Sequence, residues 1–478
     1  RRKYIAVAGA AAAAAVIGGA AYYLTRPAPP TPTPTPAPTP KPTATPKPTP
    51  KPTATPTGKP KLRIWLTERY CEPQNNWIAA KIVEWAGKNN VDVEVSWLTW
   101  AEITPKLATA MEAGTLPDVF YGGVSPVLMD PTNIYTLPVD DILNELGWDN
   151  IFERHTLQVK IKGKYYAVPF GNMINVTHLI KSLFEKGKKA ANITDFPDSG
   201  GPLPETWDDY VLLAEAMKKW DPNHHAFGLT LGEGATDGSE TWCMTWFPYG
   251  GEFMTEPSVS GIKFRSKESV ENMYRIKEWY DKGYISPDAI TESGYWNNEQ
   301  YLTRASVMIV EGPTPFYKAT TTDPSLVADT MLLPPPSGPK GLIGLGGTYS
   351  WHIIKTTEHQ DLCKDLILYF YKDKKAYTSY VVDGACCHIP LLKDVAEEAA
   401  KQFMPEIIGP YMEALEKCTV ATQTWPYNLP SRVQGEIYSD FTYAHMMMHV
   451  LVDGWEPEKA VDWAADHIEE IAKRVYGS

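Results

Sequence analysis

Residues 27–60 constrain the fold of this chain more than any other stretch, because proline stands at nearly every second position between Thr, Ala and Lys. Proline lacks a backbone N–H and fixes φ, so neither a helix nor a sheet can continue through such a segment. No side chain in it is large and apolar enough to form a core. We therefore expect an extended linker that spans on the order of 100 Å at about 3.1 Å per residue. Its threonines also suit O-glycosylation.

An uncharged apolar stretch precedes the linker. Residues 1–3 are basic, and Tyr4–Leu24 contains no charged side chain. A helix of about 21 residues would cross roughly 30 Å of hydrocarbon, with the basic end in the cytoplasm and the remainder outside. We expect residues 1–26 to form a retained apolar helix that anchors the chain at the cell surface. Two alternatives stay open: a cleaved signal peptide, and an Ala/Gly-rich assembly helix that packs against its own copies in a filament.

Composition excludes several classes of function. The net charge of −12 argues against a nucleic-acid partner. The six cysteines form no CxxC pair and no Cys/His ligand spacing, so we expect no metal site and no cofactor, and any disulfide pairing stays open. Two N-glycosylation sequons begin at Asn175 and Asn192. The 16 Trp and 26 Tyr suit a surface that stacks on sugar rings.

The 418 residues after the linker are too many for one simple core, so we expect two domains. Apolar periodicity there predicts alternating strands and helices, which implies a parallel sheet covered by helices. Ligands bind at the carboxyl ends of such strands, so residues 67–70, 98–100 and 121–123 are the first candidates for a site. The predicted elements are strands at 61–66, 91–97 and 117–123 and helices at 77–89 and 103–113.

The second half of the chain carries similar signals. A hairpin is expected to turn at Gly163, and Thr206 is expected to cap a helix that ends near Trp220. A further capped helix is predicted at 266–283. Buried strands are predicted at 305–310 and 345–354.

Eight landmarks follow one another along the chain: KLRIWL, LPDVFYGG, GKYYAVPFGN, PETWDDY, VMIVEGPTPFY, GLGGTYSWHI, DGACCHIPLLKD and GWEPEKAVDWAADHI. In this order they resemble the extracellular solute-binding proteins of ABC sugar importers, of the maltose/maltodextrin-binding group. They cover essentially all of residues 61–478, and the preceding apolar stretch and Pro/Thr linker resemble archaeal members tethered to the cell surface. One departure is Cys386-Cys387-His388, where relatives carry small residues and prolines.

The resemblance implies an α/β, two-lobed periplasmic-binding-protein-like fold, in which each lobe is a mainly parallel sheet flanked by helices. Residues 61–170 with 350–391 would form lobe 1, and residues 171–349 with 392–478 would form lobe 2. A carbohydrate, in particular an oligosaccharide, would bind in the cleft, and strands near Asn172 and Tyr349 would act as a hinge. The ligand would pass to the permease subunits of an ABC importer.

Positions that match the cleft of this family give candidate ligand-binding residues, because a sugar site needs aromatic platforms and fixed polar partners. For every aromatic the alternative is core packing, and for Glu68 and Arg69 it is a solvated ion pair. The polar candidates are Glu68, Arg69, Asn172, Asp237 and Glu240. The aromatic candidates are Tyr121, Trp242, Trp246, Phe316, Tyr317, Tyr349, Trp351 and Trp425.

An enzyme is not expected. Glu68 and Glu240 could form a glycosidase pair, but nothing in the sequence fixes their separation. No GxSxG, HExxH or P-loop motif is present. The remaining hypotheses are a tethered sugar receptor, a receptor subunit of a surface filament, a secreted glycoside hydrolase and a peptide-binding protein.

Overall fold

The first strand after the linker shows why the chain folds as it does. Leu62, Ile64 and Leu66 alternate with more exposed residues and are fully buried, as a strand with a two-residue side-chain period requires. The helix that follows buries Ile78, Ile82 and Trp85 at helical spacing, and each such side chain contributes about 1.5–3 kcal/mol. The helix ends at Asn90, whose φ of 55° is left-handed.

This computed structural model describes residues 58–233, 236–291, 295–385, 387–404 and 416–477. Residues 58–477 belong to one compact unit. The expected apolar helix at 1–26 and residues 27–57 of the linker expected at 27–60 lie outside the described residues. No helix within the described ranges has the length and apolar character needed to span a membrane.

The strands in chain order are β1 (Lys61–Thr67), β2 (Asp92–Leu98), β3 (Val119–Gly123), β4 (Lys160–Ile161), β5 (Lys164–Tyr165), β6 (Val168–Ile174), β7 (Val176–Ile180), β8 (Met308–Glu311), β9 (Thr330–Leu333), β10 (Ile343–Ile353), β11 (Ile389–Pro390) and β12 (Thr419–Ala421).

The α-helices in chain order are α1 (Glu72–Asn89), α2 (Trp100–Ala113), α3 (Pro126–Met129), α4 (Asp140–Leu146), α5 (Lys181–Ala191), α6 (Trp207–Trp220), α7 (Asp237–Trp246), α8 (Lys267–Asp281), α9 (Trp296–Leu302), α10 (Thr314–Thr322), α11 (Pro324–Ala328), α12 (Gln360–Lys372), α13 (Lys374–Asp383), α14 (Lys393–Gln402), α15 (Arg432–Ser439), α16 (Thr442–Leu451) and α17 (Pro457–Tyr476). Short 3-10 helices lie at Trp148–Asn150, Glu153–Val159, Phe247–Tyr249 and Pro287–Ile290.

The large sheet has the strand order β11-β6-β10-β3-β1-β2, with β12 beside β10. β1 is parallel to β2 and β3, because helices α1 and α2 carry the chain back between these strands. β10 is antiparallel to both β3 and β6. The large sheet is therefore mixed, because the β-α-β part of the first lobe and the β10–β12 pair are parallel and the other pairs are antiparallel, so the prediction of a mainly parallel sheet holds only in part.

The second sheet has the order β8-β7-β9. β7 is antiparallel to both neighbours, so the expectation of a mainly parallel sheet in the second lobe is wrong. The physical reason is the connection: α10 and α11 carry the chain from β8 to β9, and these two strands run in one direction on either side of β7.

Two strands of the large sheet lead toward the second lobe. β6 continues into β7 through Asn175, and β10 begins at Ile343, after the second lobe's β9. Gly346 of β10 pairs with Ile174 of β6, and a Cβ there would lie 2.5 Å from the carbonyl oxygen of Met173, so the close approach requires glycine.

The predicted lobe boundaries at 170/171 and 349/350 fall inside β6 and β10. After β11, Asp394 accepts a hydrogen bond from Asn150 Nδ2 at 2.9 Å, so contacts with the first lobe continue past residue 391. Residues near the carboxyl end pack on the second lobe, where Asp462 pairs with Arg265 at 2.6 Å. The division into lobes at these positions stays a prediction.

Candidate functional site

The segment after β1 places three side chains at the carboxyl end of the strand. Thr67 donates a hydrogen bond to the Tyr121 carbonyl at 3.1 Å, which ties the end of β1 to β3. Glu68 is exposed, Arg69 is buried, and Tyr70 is 37% exposed. These side chains belong to residues 67–70, one of the three segments that the carboxyl-end rule makes the first candidates for a site.

Arg69 is held on the first-lobe side by aromatic and imidazole groups. Its guanidinium lies 3.6 Å from the ring centroid of Tyr349 on β10, and one nitrogen is 3.4 Å from the Tyr121 hydroxyl. Another nitrogen lies 2.6 Å from His388 Nδ1. Burial, and then the Arg69 cation, hold the pKa of His388 well below its usual value. The imidazole is therefore neutral and can accept a hydrogen bond from Arg69.

Carboxylates from two elements converge on the second-lobe side. Asp237 and Glu240 lie on α7, and Glu311 ends β8. Glu240 Oε2 accepts a hydrogen bond from Asn175 Nδ2 at 2.9 Å. Glu311 Oε2 accepts one from Asn297 Nδ2 at 2.7 Å. All three carboxylates are partly exposed, and we call the space that they border together with Arg69 and Tyr349 the recess.

The surroundings of the same carboxylates disfavour their ionised forms. Burial, and then repulsion from Asp237, raise the pKa of Glu240 to about 7. Burial, and then Asp237 and Glu240, raise the pKa of Glu311 well above its usual value. Burial also raises the pKa of Asp237. Among the described residues no Lys, Arg or His forms an ion pair with any of the three, so negative charge accumulates here above neutral pH.

Tyr349 lies between these two groups. Burial raises its pKa, Arg69 opposes that shift, and Tyr121, Glu240 and Glu311 add to it. α7 packs against β10, which brings the carboxylate side close to the Tyr349 ring. The recess therefore has a cationic wall on one lobe and an acidic wall on the other.

Exposed rings surround the recess. Tyr70 and Tyr295 come from different lobes, and their ring centroids lie 5.7 Å apart at a tilt of 45°. Tyr295 is 57% exposed and has φ of 90°, an uncommon conformation for a bulky residue. Trp100 is 43% exposed and meets Tyr349 edge-on at 5.5 Å. Burial, followed by Asp237 and Glu68, raises the pKa of Tyr295, which places this ring beside carboxylates of both lobes.

A family described as bacterial extracellular solute-binding protein matches residues 80–407. The chain belongs to this family. A curated relative, lipoprotein LipO of Bacillus subtilis, is 28% identical over 122 residues, which is 24% of each chain. The match thus spans about a quarter of the length of that relative.

Solved structures share the fold. A solute-binding protein from Thermotoga lettingae with bound alpha-D-tagatose has a TM-score of 0.69 at 18% identity, covering 87% of this chain and 100% of that one. A sugar transporter protein from Arthrobacter chlorophenolicus with laminaribiose has a TM-score of 0.69 at 17% identity, covering 86% and 98%. The sugar-binding protein of Xanthomonas citri has a TM-score of 0.65 at 17% identity, covering 87% and 98%. The two-lobed α/β fold predicted from the sequence is therefore confirmed, and the family consists of extracellular binding proteins rather than enzymes.

Four of the predicted aromatic platforms lie in the core instead of the recess. Trp242, Trp246, Phe316 and Trp351 are each 0% exposed. Trp242 packs against Trp246, Phe264 and Tyr443 at centroid distances of 5.7–5.9 Å. Such rings offer no exposed face to a ligand in this structure. They pack in the core, which is the alternative stated above for every aromatic candidate.

The other predicted residues have mixed surroundings. Arg69, Tyr349, Glu240 and Asp237 border the recess, Tyr121 reaches it through its hydroxyl, and Glu68 stands exposed beside it. Of the remaining three, Tyr317 is half-buried and interacts electrostatically with Cys71 and Cys387, Trp425 is half-buried near Phe247, and buried Asn172 donates to Thr348 Oγ1 at 2.9 Å.

The two predicted glycosylation sites differ. Asn175 is buried and its Nδ2 donates to Glu240, so a glycan on this nitrogen is incompatible with the folded chain, and that prediction is wrong. Asn192 is exposed at the end of α5. Its glycosylation stays a prediction.

Sequence reasoning missed Glu311, Asn297, Tyr295 and His388. Glu311 follows a strand that was predicted at 305–310, so the rule that directs attention to carboxyl ends of strands could have found it. Nothing local distinguishes Tyr295 from a buried tyrosine. His388 was noted only as part of an unusual Cys-Cys-His sequence.

Proposed function

We propose that this protein captures a carbohydrate, in particular an oligosaccharide, in the recess between its lobes and presents it to an ABC importer. The observation that carries the proposal is the convergence of exposed rings, a buried arginine and partly exposed carboxylates on one recess of a solute-binding fold. The sugars named in the structures of proteins with the same fold support it further.

The chemistry of the recess suits a sugar. Pyranose rings present flat C–H faces that pack on aromatic rings, and Tyr70, Tyr295 and Trp100 offer exposed faces here. Sugar hydroxyls need both donors and acceptors. Glu240 and Glu311 supply acceptors whose orientation is fixed by Asn175 and Asn297. This arrangement fits a neutral, hydroxyl-rich ligand that spans the recess.

We further propose that ligand binding closes the lobes. β6 and β10 are adjacent and antiparallel, and both lead toward the second lobe, so they can bend together as a hinge. The Tyr70–Tyr295 contact joins the lobes at the mouth of the recess. Closure would bury the sugar and remove water from its hydrogen bonds.

Tethering belongs to the same proposal. An anchor at residues 4–24 and a linker at 27–60 would hold the receptor near its permease at high effective concentration on the extracytoplasmic surface. Assembly of a filament through residues 1–26 remains the competing proposal for this part of the chain.

A thermal-shift panel tests the binding function. Residues 58–478 are heated alone and with saturating mono- and oligosaccharides, and with peptides as the comparison class. A ligand present at 100 times its Kd stabilises the folded protein by about 2.7 kcal/mol, so a binding sugar raises Tm measurably. Stabilisation by peptides but by none of the sugars would overturn the carbohydrate assignment. Analysis of the same mixtures for cleavage products separates binding from hydrolysis.

A further inference from the structure

Two distant stretches of chain run side by side beneath the recess. Arg69, just after β1, contacts His388, just before β11. The sulfur atoms of Cys71 and Cys387 lie 3.9 Å apart in the same pair of segments. The partners in each contact are more than 300 residues apart in the sequence, so the fold and not the local sequence brings them together.

The sulfur–sulfur contact is close to the geometry of a disulfide. An S–S bond measures about 2.05 Å, so the two sulfurs would approach each other by about 1.9 Å. Two other described cysteines face oxygen atoms instead: Cys363 Sγ is 3.9 Å from Thr357 Oγ1, and Cys418 Sγ is 3.6 Å from the Leu342 carbonyl oxygen.

The compartment favours oxidation. The family is extracellular, and disulfides form and persist outside the cytoplasm. Both sulfurs are buried in the folded chain, so an oxidant reaches them while these segments are still open during folding. The six cysteines left every pairing open at the level of sequence, and among the described cysteines the fold brings the sulfurs of Cys71 and Cys387 together.

We propose that Cys71 and Cys387 are joined by a disulfide in the mature protein. Each thiol loses its proton, the two sulfurs form one bond, and the two electrons pass to the disulfide of an oxidant of the glutathione or thiol–disulfide oxidoreductase class. That oxidant leaves as two thiols, so atoms and electrons balance. The crosslink does not depend on the identity of the ligand.

The crosslink has a structural consequence for the recess. It fixes residue 387 against residue 71 and thereby holds His388 against Arg69, whose guanidinium lies on the Tyr349 ring. It also closes a loop of more than 300 residues, which restricts the unfolded chain. The restriction stabilises the folded state relative to the unfolded chain. Dividing that stabilisation by the unfolding entropy of a domain this large gives a Tm difference of about 5 °C between oxidised and reduced protein.

Peptide mapping tests the proposal directly. The full chain is exported or refolded with oxidised glutathione, unfolded without reductant in N-ethylmaleimide, and digested with trypsin. We expect residues 70–81 and 376–393 to appear as one crosslinked peptide that separates on reduction. Because Cys386 lies in the same tryptic peptide as Cys387, the map is repeated with Cys386→Ala, which should keep the crosslink.

Thermal unfolding provides the second readout. Reductant should lower Tm by about 5 °C in the wild type and in the Cys363→Ala control, and should have no effect in Cys71→Ala. Maleimide on both Cys71 and Cys387 in the oxidised wild type would overturn the proposal, as would a Cys386–Cys387 link. This mapping uses the wild-type chain, so it decides the matter even where a cysteine variant fails to fold.

Discussion

Glu240→Gln should change how the stability of this protein depends on pH. In the ligand-free protein, burial and the neighbouring Asp237 raise the pKa of Glu240 from its usual 4.5 to about 7. Between these two values the folded chain holds a proton that the unfolded chain has released. Stability therefore falls as pH rises from 4.5 to 7 and stays low above that range.

The size of the effect follows from the shift. A difference of about 2.5 pKa units corresponds to about 3 kcal/mol, and solvent around the partly exposed carboxylate reduces this to about 1–2 kcal/mol. Glutamine removes the charge and keeps an oxygen that can accept from Asn175 Nδ2. We therefore expect the variant to be more stable than the wild type by about 1–2 kcal/mol at pH 8, with little difference at pH 4.5.

Urea denaturation at pH 4.5, 6 and 8 measures the difference. Glu68→Gln is the matched control, because Glu68 lies beside the same recess but is exposed, and it should change stability by less than about 0.5 kcal/mol. Equal stability of the wild type and Glu240→Gln at pH 8 would refute the view that the ionised Glu240 carboxylate, partly desolvated and repelled by Asp237, destabilises the folded chain.

Three further substitutions separate the rim of the recess, the core and the hinge. Tyr295→Ala should weaken sugar binding by about 1–3 kcal/mol, because an exposed ring at the rim is lost, and calorimetry that shows unchanged affinity would remove Tyr295 from the site. Trp242→Ala should destabilise folding by about 3–5 kcal/mol, since its ring is fully buried, and a loss of less than 1 kcal/mol in urea denaturation would contradict that placement. Gly346→Ala should cost about 1–3 kcal/mol in the same assay, because the new Cβ would lie 2.5 Å from the Met173 carbonyl oxygen, and a neutral result would show that the two hinge strands separate easily.

Local sequence signals predicted much of the fold because they depend on neighbouring residues. Thr206 caps α6 as predicted, and its side chain accepts a hydrogen bond from the Asp209 backbone. The hairpin at Gly163 and the helix that ends at Gly114 also match, since both glycines hold positive φ. The direction of β7 against β8 and β9 depends on how distant segments return to the sheet, which no local signal encodes.

The site was harder to predict than the fold because exposure is a property of the tertiary structure. α7 carries Trp242 and Trp246 and is buried on nearly all sides, so tryptophans that resembled platforms are core residues. Tyr70 and Tyr295 lie at the rim only because two lobes meet there. The carboxyl-end rule pointed to Arg69, which borders the recess, because the rule concerns backbone topology and not the surroundings of a particular ring.

The central claim is that a carbohydrate binds in the recess between the two lobes. Isothermal titration calorimetry of the most stabilising oligosaccharide into the wild type, Tyr295→Ala and Tyr274→Ala tests it most directly. Tyr274 is a matched control, because it is 45% exposed on α8 and donates to Glu458, away from the recess. We predict saturable one-to-one binding that Tyr274→Ala preserves and Tyr295→Ala weakens at least fivefold. Equal affinity in all three proteins, or heat from peptides and none from any sugar, would contradict the account.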